Sequence, residues 1–513
     1  MSAISQSTSN NPSSVVQTRN AAAALAANPG AYNLSSPIPP YASNPTSYTD
    51  TILLAGFPTN GGSTGSWVSP NQKTPYVQSW NFRFQREVAR GTVLEVRYIG
   101  THSIHEWHDY QPNETNIFEN GFLPQFLQAQ KNLSINAANG VANNFSNKGF
   151  AGQAAIPIFE TAFGANGSQA ALSTSSGFGS STFINYLNQG NVVSLAGSLA
   201  STGTGTYFCR LVGANFSPCV TQGYTAATAY PSNFFQPNPW VGGLYAMDDD
   251  AYSNYNGLQL HLRKSTSHGL TLDASYTWSH TLGILSGTPD AGADTQYLTL
   301  RDKRMNYAST SFDRRHAMIL YWTYDLPVGK GKWLNTNNRI ANGVFGGWTI
   351  GESTVIQSGT PQTVSGGRTT FNNFADGGVV FGNGMTLQQL LQRTSKIVGN
   401  YVASCNCYKT DVSDIIQVNG SVNPQYYAPN TAPGVLLPQV WYTGKTSYAL
   451  NLSLVKKFRI NERTTLGFWG GANNFLNHPF FPQGTISTTS TSFGNITSAS
   501  GNRTIQLRAY LDF

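Results

Sequence analysis

Charge is scarce in this chain. Asp, Glu, Lys and Arg supply only 10% of its 513 residues, against roughly a quarter in ordinary soluble proteins. Mean hydropathy is nevertheless −0.26, so apolar residues have not taken the place of the missing charges. Long apolar runs are lacking too: no stretch of 18 or more exists, which excludes a transmembrane helix. It does not exclude a transmembrane barrel, whose strands need only about 9–11 residues and hide from hydropathy by alternating. The opening "MSAISQSTSNNPSS" has neither a basic nor an apolar region, so it is not a signal peptide, and export is expected to need a leader that this segment does not supply. Basic clusters are also missing. The net charge of +7 comes from 30 scattered Lys and Arg, which argues against a nucleic-acid partner.

Cysteine is nearly absent. Cys209, Cys219, Cys405 and Cys407 all fall in Gly/Asn/Ser-rich stretches. C-N-C alone is too sparse for zinc, which takes four ligands from paired motifs, so disulfides in an oxidising compartment are the reading. A Cys209–Cys219 bridge is expected. Cys405 and Cys407 are close enough to pair, although so short a spacing strains the ring.

What fills the chain is Asn, Ser, Thr, 51 Gly and 12% aromatic residues, a mixture suited to sheets with one apolar and one uncharged wet face. Nine segments alternate in that manner. In 76–86, Trp80, Phe82 and Phe84 oppose Asn81, Arg83 and Gln85; in 92–99, Leu94, Val96 and Tyr98 oppose Glu95 and Arg97. Segment 256–264 sets Leu258, Leu260 and Leu262 against Gln259, His261 and Arg263, and 270–279 places Leu270, Leu272, Ala274, Tyr276 and Trp278 on one face. Met318, Leu320, Trp322 and Tyr324 share a face in 316–326. In 347–357 the face of Trp348, Ile350 and Ile356 is interrupted by Glu352. Segments 447–458 and 464–475 follow, the latter with Gly470 and Gly471 at an expected bend. The last strand carries Ile505, Leu507, Ala509, Leu511 and Phe513 on one face and runs to the final residue.

The connections alternate in length: 87–91, then 100–255; 265–269, then 280–315; 327–346, then 358–446; 459–463, then 476–502. Short periplasmic turns facing long extracellular loops are the pattern of outer-membrane barrels. Helical patterns at 122–133 and at 385–393, the second with Thr386 as N-cap, predict that the loops are folded. Residues 1–75 read as a loop-rich entry segment with one candidate strand at 51–57, and 76–513 as the barrel portion.

Motifs for chemistry have simpler readings. "GGSTG" (61–65) lacks the flanking strand and helix of a nucleophile elbow and reads as a polar turn. His102, His105 and His108 lack the spacing of a metal-binding helix and read as a polar strand extension, with His105 facing away from the other two. "MDDD" (247–250) lacks alternating calcium ligands and reads as solvated loop. "VGKGK" (328–332) is not a phosphate-binding loop. No catalytic, metal or cofactor site is expected, and the protein is not read as an enzyme.

In "TPYVQSWNFRFQR", "NIFENGFLPQFLQAQKNL", "YNGLQLHLRK", "GLTLDASYTWSHTL", "DRRHAMILYWTYDLPVGKGK", "GGWTIGESTVIQSGTPQ", "NNFLNHPFF" and the terminal strand, the chain resembles the C-terminal barrel portion of Oar-like TonB-dependent transporters, common in Acidobacteria, over about residues 70 to 513. The resemblance implies an outer-membrane receptor that uses energy passed by TonB to take up a bulky solute. Some relatives look more like surface or adhesion proteins. Members of that family carry a signal peptide, often a carboxypeptidase-regulatory-like domain, a TonB-contacting segment and a plug inside a 22-stranded barrel; none is visible here, so contact with the TonB system is expected only through such missing N-terminal parts. The terminal Phe513 strand resembles the signal by which the barrel assembly machinery selects its substrates.

Nine strands that begin and end downward cannot close antiparallel, so the expectation is an all-β, antiparallel segment of a transmembrane barrel wall, bathed in outer-membrane lipid and belonging to a fragment. An adhesion protein with the same wall and a secreted soluble β-sandwich that binds carbohydrate are the alternatives.

Overall fold

The computed structural model describes residues 63–513 apart from 202–205, 240, 285–296, 330, 335–337, 383–384, 412–416, 419–420, 423–426, 462, 488–489 and 491. The candidate strand at 51–57 lies outside the described residues.

Alternation produces an antiparallel sheet because the two faces of each strand need different surroundings. Its wall comprises β2 (Tyr76–Ala89), β3 (Thr92–Tyr110), β4 (Val241–Ser267), β5 (Leu270–Gly283), β6 (His316–Asp325), β7 (Trp348–Gln357), β8 (Ser447–Arg459), β9 (Thr465–Asn473) and β10 (Thr504–Asp512). Each pairs with its sequence neighbour, β2 and β10 form the two edges, and the sheet is not closed among the described residues. Residues 90–91 and 268–269 make tight hairpins. His268 and Gly269 both take positive φ, 51° and 83°, as the favoured two-residue turn requires.

One additional strand, β1 (Ser63–Val68), runs parallel to the start of β4. The expected turn at 61–65 is therefore corrected: strand pairing with 241–247 overrides the Gly/Ser composition, a long-range contact that local turn chemistry does not register. The expected loop 100–255 is corrected in the same way. β3 and β4 continue pairing up to Tyr110 and Ala246, through register shifts between Ile104 and His108, so the connection narrows to 111–240. Those bulges break the alternation that marks a strand.

The wall is all-β, and helices occur in its connections. Within 111–240 lie α1 (Phe122–Ala138), α2 (Pro157–Phe163), α3 (Ser181–Gln189), α4 (Val192–Ala200), α5 (Thr206–Val212) and α6 (Ser217–Thr221). α7 (Arg339–Phe345) lies between β6 and β7, and α8 (Leu387–Ser395) between β7 and β8. α8 starts at Thr386, whose hydroxyl accepts from the Gln389 amide while the Gln389 side chain accepts from the Thr386 amide, a reciprocal cap that satisfies two otherwise orphaned donors.

Candidate functional site

Cross-strand register joins the alternating faces into two continuous surfaces. Phe84, Val96, Leu260, Tyr276, Met318, Ile356 and Tyr448 are successive partners across seven strands. One row away, Phe82, Tyr98, Leu258 and Trp278 follow one another. Trp80 opposes Gly100, where the indole occupies the space a Cβ would need, 2.2 Å from its nearest atom.

Toward the short-turn end the rows are Leu272, Trp322, Glu352, Leu452, Ala472, Ile505; then Tyr324, Ile350, Leu454, Gly470, Leu507; then Trp348, Lys456, Phe468, Ala509; then Phe458, Leu466, Leu511. Every aromatic residue singled out in the sequence, and the apolar set of the terminal strand up to Leu511, falls on this one face; Phe513 follows β10. Large side chains stand open on it, Phe82 at 70% and Leu507 at 86% of full exposure. Arg86, Lys264, Glu352 and Lys456 interrupt it. Glu352 accepts a hydrogen bond from Thr354.

The opposite face is mainly polar, although Ile99, Ile319, Val355 and Val455 lie on it. Arg83 and Arg97 both reach Glu95, at 2.7 and 2.6 Å, and His261 pairs with Asp273 at 3.0 Å. Near β6 to β9 it forms a concavity of about 420 Å³ bordered by Asp273, Tyr321, Ser353, Asn451, Trp469 and Asn473. Arg508 lies over the Trp469 ring at 5.7 Å. A surface of hydroxyls, amides and a few ringed aromatics suits a hydrated, hydrogen-bonding solute better than an apolar one.

Beyond the wall, the long connections form a cap. Phe122, Phe126, Phe145 and Phe159 are fully buried together with Ala129, Leu187 and Leu195; Phe159 packs against Phe122 and Phe145 with centroids 5.6 and 5.5 Å apart. Cys209 and Cys219 are joined in a second small core with Phe208 and Phe216, and Cys405 is joined to Cys407.

Contacts between connections stitch the cap. The Thr115 amide donates to Asn373 at 2.8 Å, Thr369 meets both Asn191 and Ser194, and Arg301 grips Glu119 through both oxygens. Gly190, at φ 69°, passes so close to Thr431 that a Cβ there would sit 2.0 Å from its carbonyl oxygen.

The histidine stretch and the acidic stretch meet where cap and wall join. His102 bonds Asn254 at 2.7 Å, His105 reaches the Asp249 carbonyl at 3.2 Å, and His108 bonds Asp250 at 2.5 Å. "MDDD" is thus part of β4 rather than a solvated loop, since the histidines of β3 supply its partners. Among the described residues no three His, Cys, Asp or Glu side chains are grouped to hold a metal.

Asp250 also accepts from the buried Tyr297 hydroxyl at 2.6 Å and from Lys303 at 2.5 Å. Lys303 in turn lies 4.9 and 4.8 Å from the centroids of Tyr110 and Tyr297. Burial pushes the Asp250 carboxyl up, but the hydrogen bonds from His108, Lys303 and Tyr297, with the Lys303 charge, outweigh it and hold the group well below the usual carboxylate range.

A depressed folded value means that Asp250 stabilises this joint at every pH above its unfolded value of about 3.9, and that the contribution disappears as pH falls through the folded value. Acidification below about pH 4 should therefore lower the protection of amides around Tyr297 relative to their intrinsic exchange rate at the same pH, and Asp250→Asn should show the lowered protection already at neutral pH. Identical exchange in the variant would dismiss the joint.

The sequence matches the family described as an outer membrane beta barrel domain over residues 1–506. Among solved structures, the outer membrane transporter YddB of Escherichia coli is similar at 7% identity, covering 88% of this chain and 34% of that one with a TM-score of 0.34. The ferripyoverdine receptor of Pseudomonas aeruginosa follows at 8% identity, 85% and 27% coverage and 0.29, and the ferric enterobactin receptor PfeA of the same organism at 9%, 89% and 34%, and 0.29. The chain thus spans about a third or less of the length of these structures. No curated protein matches.

Proposed function

This chain belongs to the outer membrane beta barrel domain family, and from that footing we propose that it supplies wall and extracellular cap to an Oar-like TonB-dependent receptor that takes up a bulky solute. Its place is the outer membrane. The observation that carries the reading is the apolar face that cross-strand register joins through all nine wall strands, where soluble monomers rarely expose more than a few hundred Å² in one patch. That face, with Trp80, Phe82, Phe84, Tyr98, Tyr276, Trp278, Trp322, Tyr324 and Trp348, is turned to lipid; the Arg83–Glu95–Arg97 face is turned to the lumen. The long connections lie outside the cell and the short turns in the periplasm.

The stitched cap supports selection of a solute before it enters the lumen. A folded cap of this size also suits a surface-adhesion protein, the second reading. Uptake separates them: cells carrying the complete receptor should accumulate its solute until the proton-motive force is collapsed, whereas adhesion survives uncoupling and gives no accumulation. We also assign the terminal strand, Ile505 to Phe513, to recognition by the barrel assembly machinery. Deleting Phe513 should slow the appearance of heat-modifiable barrel in a pulse-chase, while a residue that merely adds to the wall would leave the rate unchanged.

A further inference from the structure

Three of the short-end connections are brief, spanning 90–91, 268–269 and 460–464, but the fourth runs from 326 to 347 and carries α7. It does not hang free. Lys456 stands on the apolar face, yet its side chain is buried at 2% exposure. Its ammonium donates to the carbonyls of Gly343, Val344 and Gly346 at 2.6, 3.0 and 2.5 Å.

All three ammonium donors are thereby used on the end of α7, where the helix leaves its carbonyls unpaired and its dipole favours a cation. The ammonium also lies 5.0 Å from the Trp348 ring centroid and 4.8 Å from that of Phe458. The Trp348 indole donates to Val344 at 2.9 Å. Because Lys456 and Trp348 project from the apolar face, the segment they hold is folded outward onto that face, not into the lumen.

Once held there, the segment presents a second apolar surface. Trp333 is 85% exposed, Ile340 77% and Phe345 64%, with Leu334 and Val344 beside them. Across 326–347 the sequence contains Lys330, Lys332 and Arg339 and no Asp or Glu. Exposed Trp, Phe and Ile combined with basic residues, adjoining a lipid-contacting wall near its end, is the chemistry of a segment lying in the headgroup region of an anionic leaflet.

We infer that Trp333, Leu334 and the exposed face of α7, Ile340, Val344 and Phe345, form an interfacial anchor, pinned to the wall by Lys456 and seated in the phospholipid headgroups of the periplasmic leaflet. This rests on the apolar face being the lipid face. The anchor fixes the depth of this side of the wall in the bilayer and lets a lysine stand on a lipid-facing strand without meeting hydrocarbon unpaired.

The test uses the complete receptor reconstituted into phosphatidylethanolamine/phosphatidylglycerol vesicles, with an environment-sensitive fluorophore placed by Phe345→Cys, or by Leu260→Cys in mid-wall. At 345, quenching by a lipid spin label near the headgroup should exceed that by one near the chain end roughly twofold, as a depth of about 5–10 Å requires. At 260 the order should reverse. Adding Lys456→Met should abolish headgroup quenching at 345 and open it to aqueous iodide, leaving 260 unchanged. Iodide access without lipid quenching at 345, with 260 quenched as expected, overturns the anchor alone; an undisturbed 345 in Lys456→Met overturns the pinning. Loss of lipid quenching at 260 removes the lipid-facing reading and the anchor with it.

Discussion

Replacing Leu260 by Arg should prevent the proposed receptor from accumulating as a folded barrel. Leu260 lies in the middle of the row that runs from Phe84 to Tyr448, flanked by Val96 and Tyr276. On the proposed lipid face an arginine costs about 2–4 kcal/mol near the midplane, and it has apolar neighbours on both sides to meet. The loss compares with a large part of the 5–15 kcal/mol that separates folded from unfolded for typical domains. Ser275, between His261 and Ile319 on the opposite face, provides the control: Ser275→Arg enters the proposed lumen and should be mild. The measurement is the heat-modifiable fraction in outer membranes. Equal tolerance of the two substitutions would show that the faces have been assigned to the wrong solvents.

The second large effect concerns the cap. Phe159 is wholly buried among Phe122, Phe145 and Phe163, in a core built from α1 to α5 that makes no use of lipid. Truncating such a ring removes its transfer free energy and leaves a cavity, so Phe159→Ala should destabilise the cap by about 3–5 kcal/mol. The wall has its own ladder hydrogen bonds and its own solvent, so heat modifiability should persist while external protease begins to cut within 111–240. Joint loss of both would mean that cap and wall fold as one cooperative unit. Persistence of a protease-resistant cap would mean that the aromatic core is dispensable.

The wall was legible because its signal is local. Alternation of period two survives in each of the nine segments, from Trp80–Phe84 to Ile505–Leu511, and the sidedness read from single strands becomes one surface when they pair. The cap was legible only at its two amphipathic helices, α1 and α8. Helices α2 to α6 span only five to nine residues; Ser181–Gln189 is amphipathic, but it opens without the side-chain cap that marks α8. The His–Asp joint was missed for a related reason. Each stretch has an unremarkable reading alone, a polar extension and a solvated loop; the available signal was complementarity, since carrying the β3–β4 pairing upward brings the stretch of His105 and His108 alongside Asp248 to Ala251. The strand at 63–68 had no local signal of that kind, because its partner begins at Val241. Lys456 was similarly silent: one lysine at a strand end says nothing until the carbonyls of 343–346 are placed around it.

The stitches between connections also impose an order of events. Thr115 and Asn373 are 258 positions apart, and Arg368 and Gln189 are 179. Closing such spans in a free chain costs entropy that a single hydrogen bond cannot repay. The hairpins of the wall remove most of that cost beforehand, since each strand pair delivers the ends of its neighbours to the same rim. The aromatic core of 111–240 needs no such help and can condense by itself. By this reckoning the seams between connections come last, so the part of the molecule farthest from the hairpin turns is the last to become native.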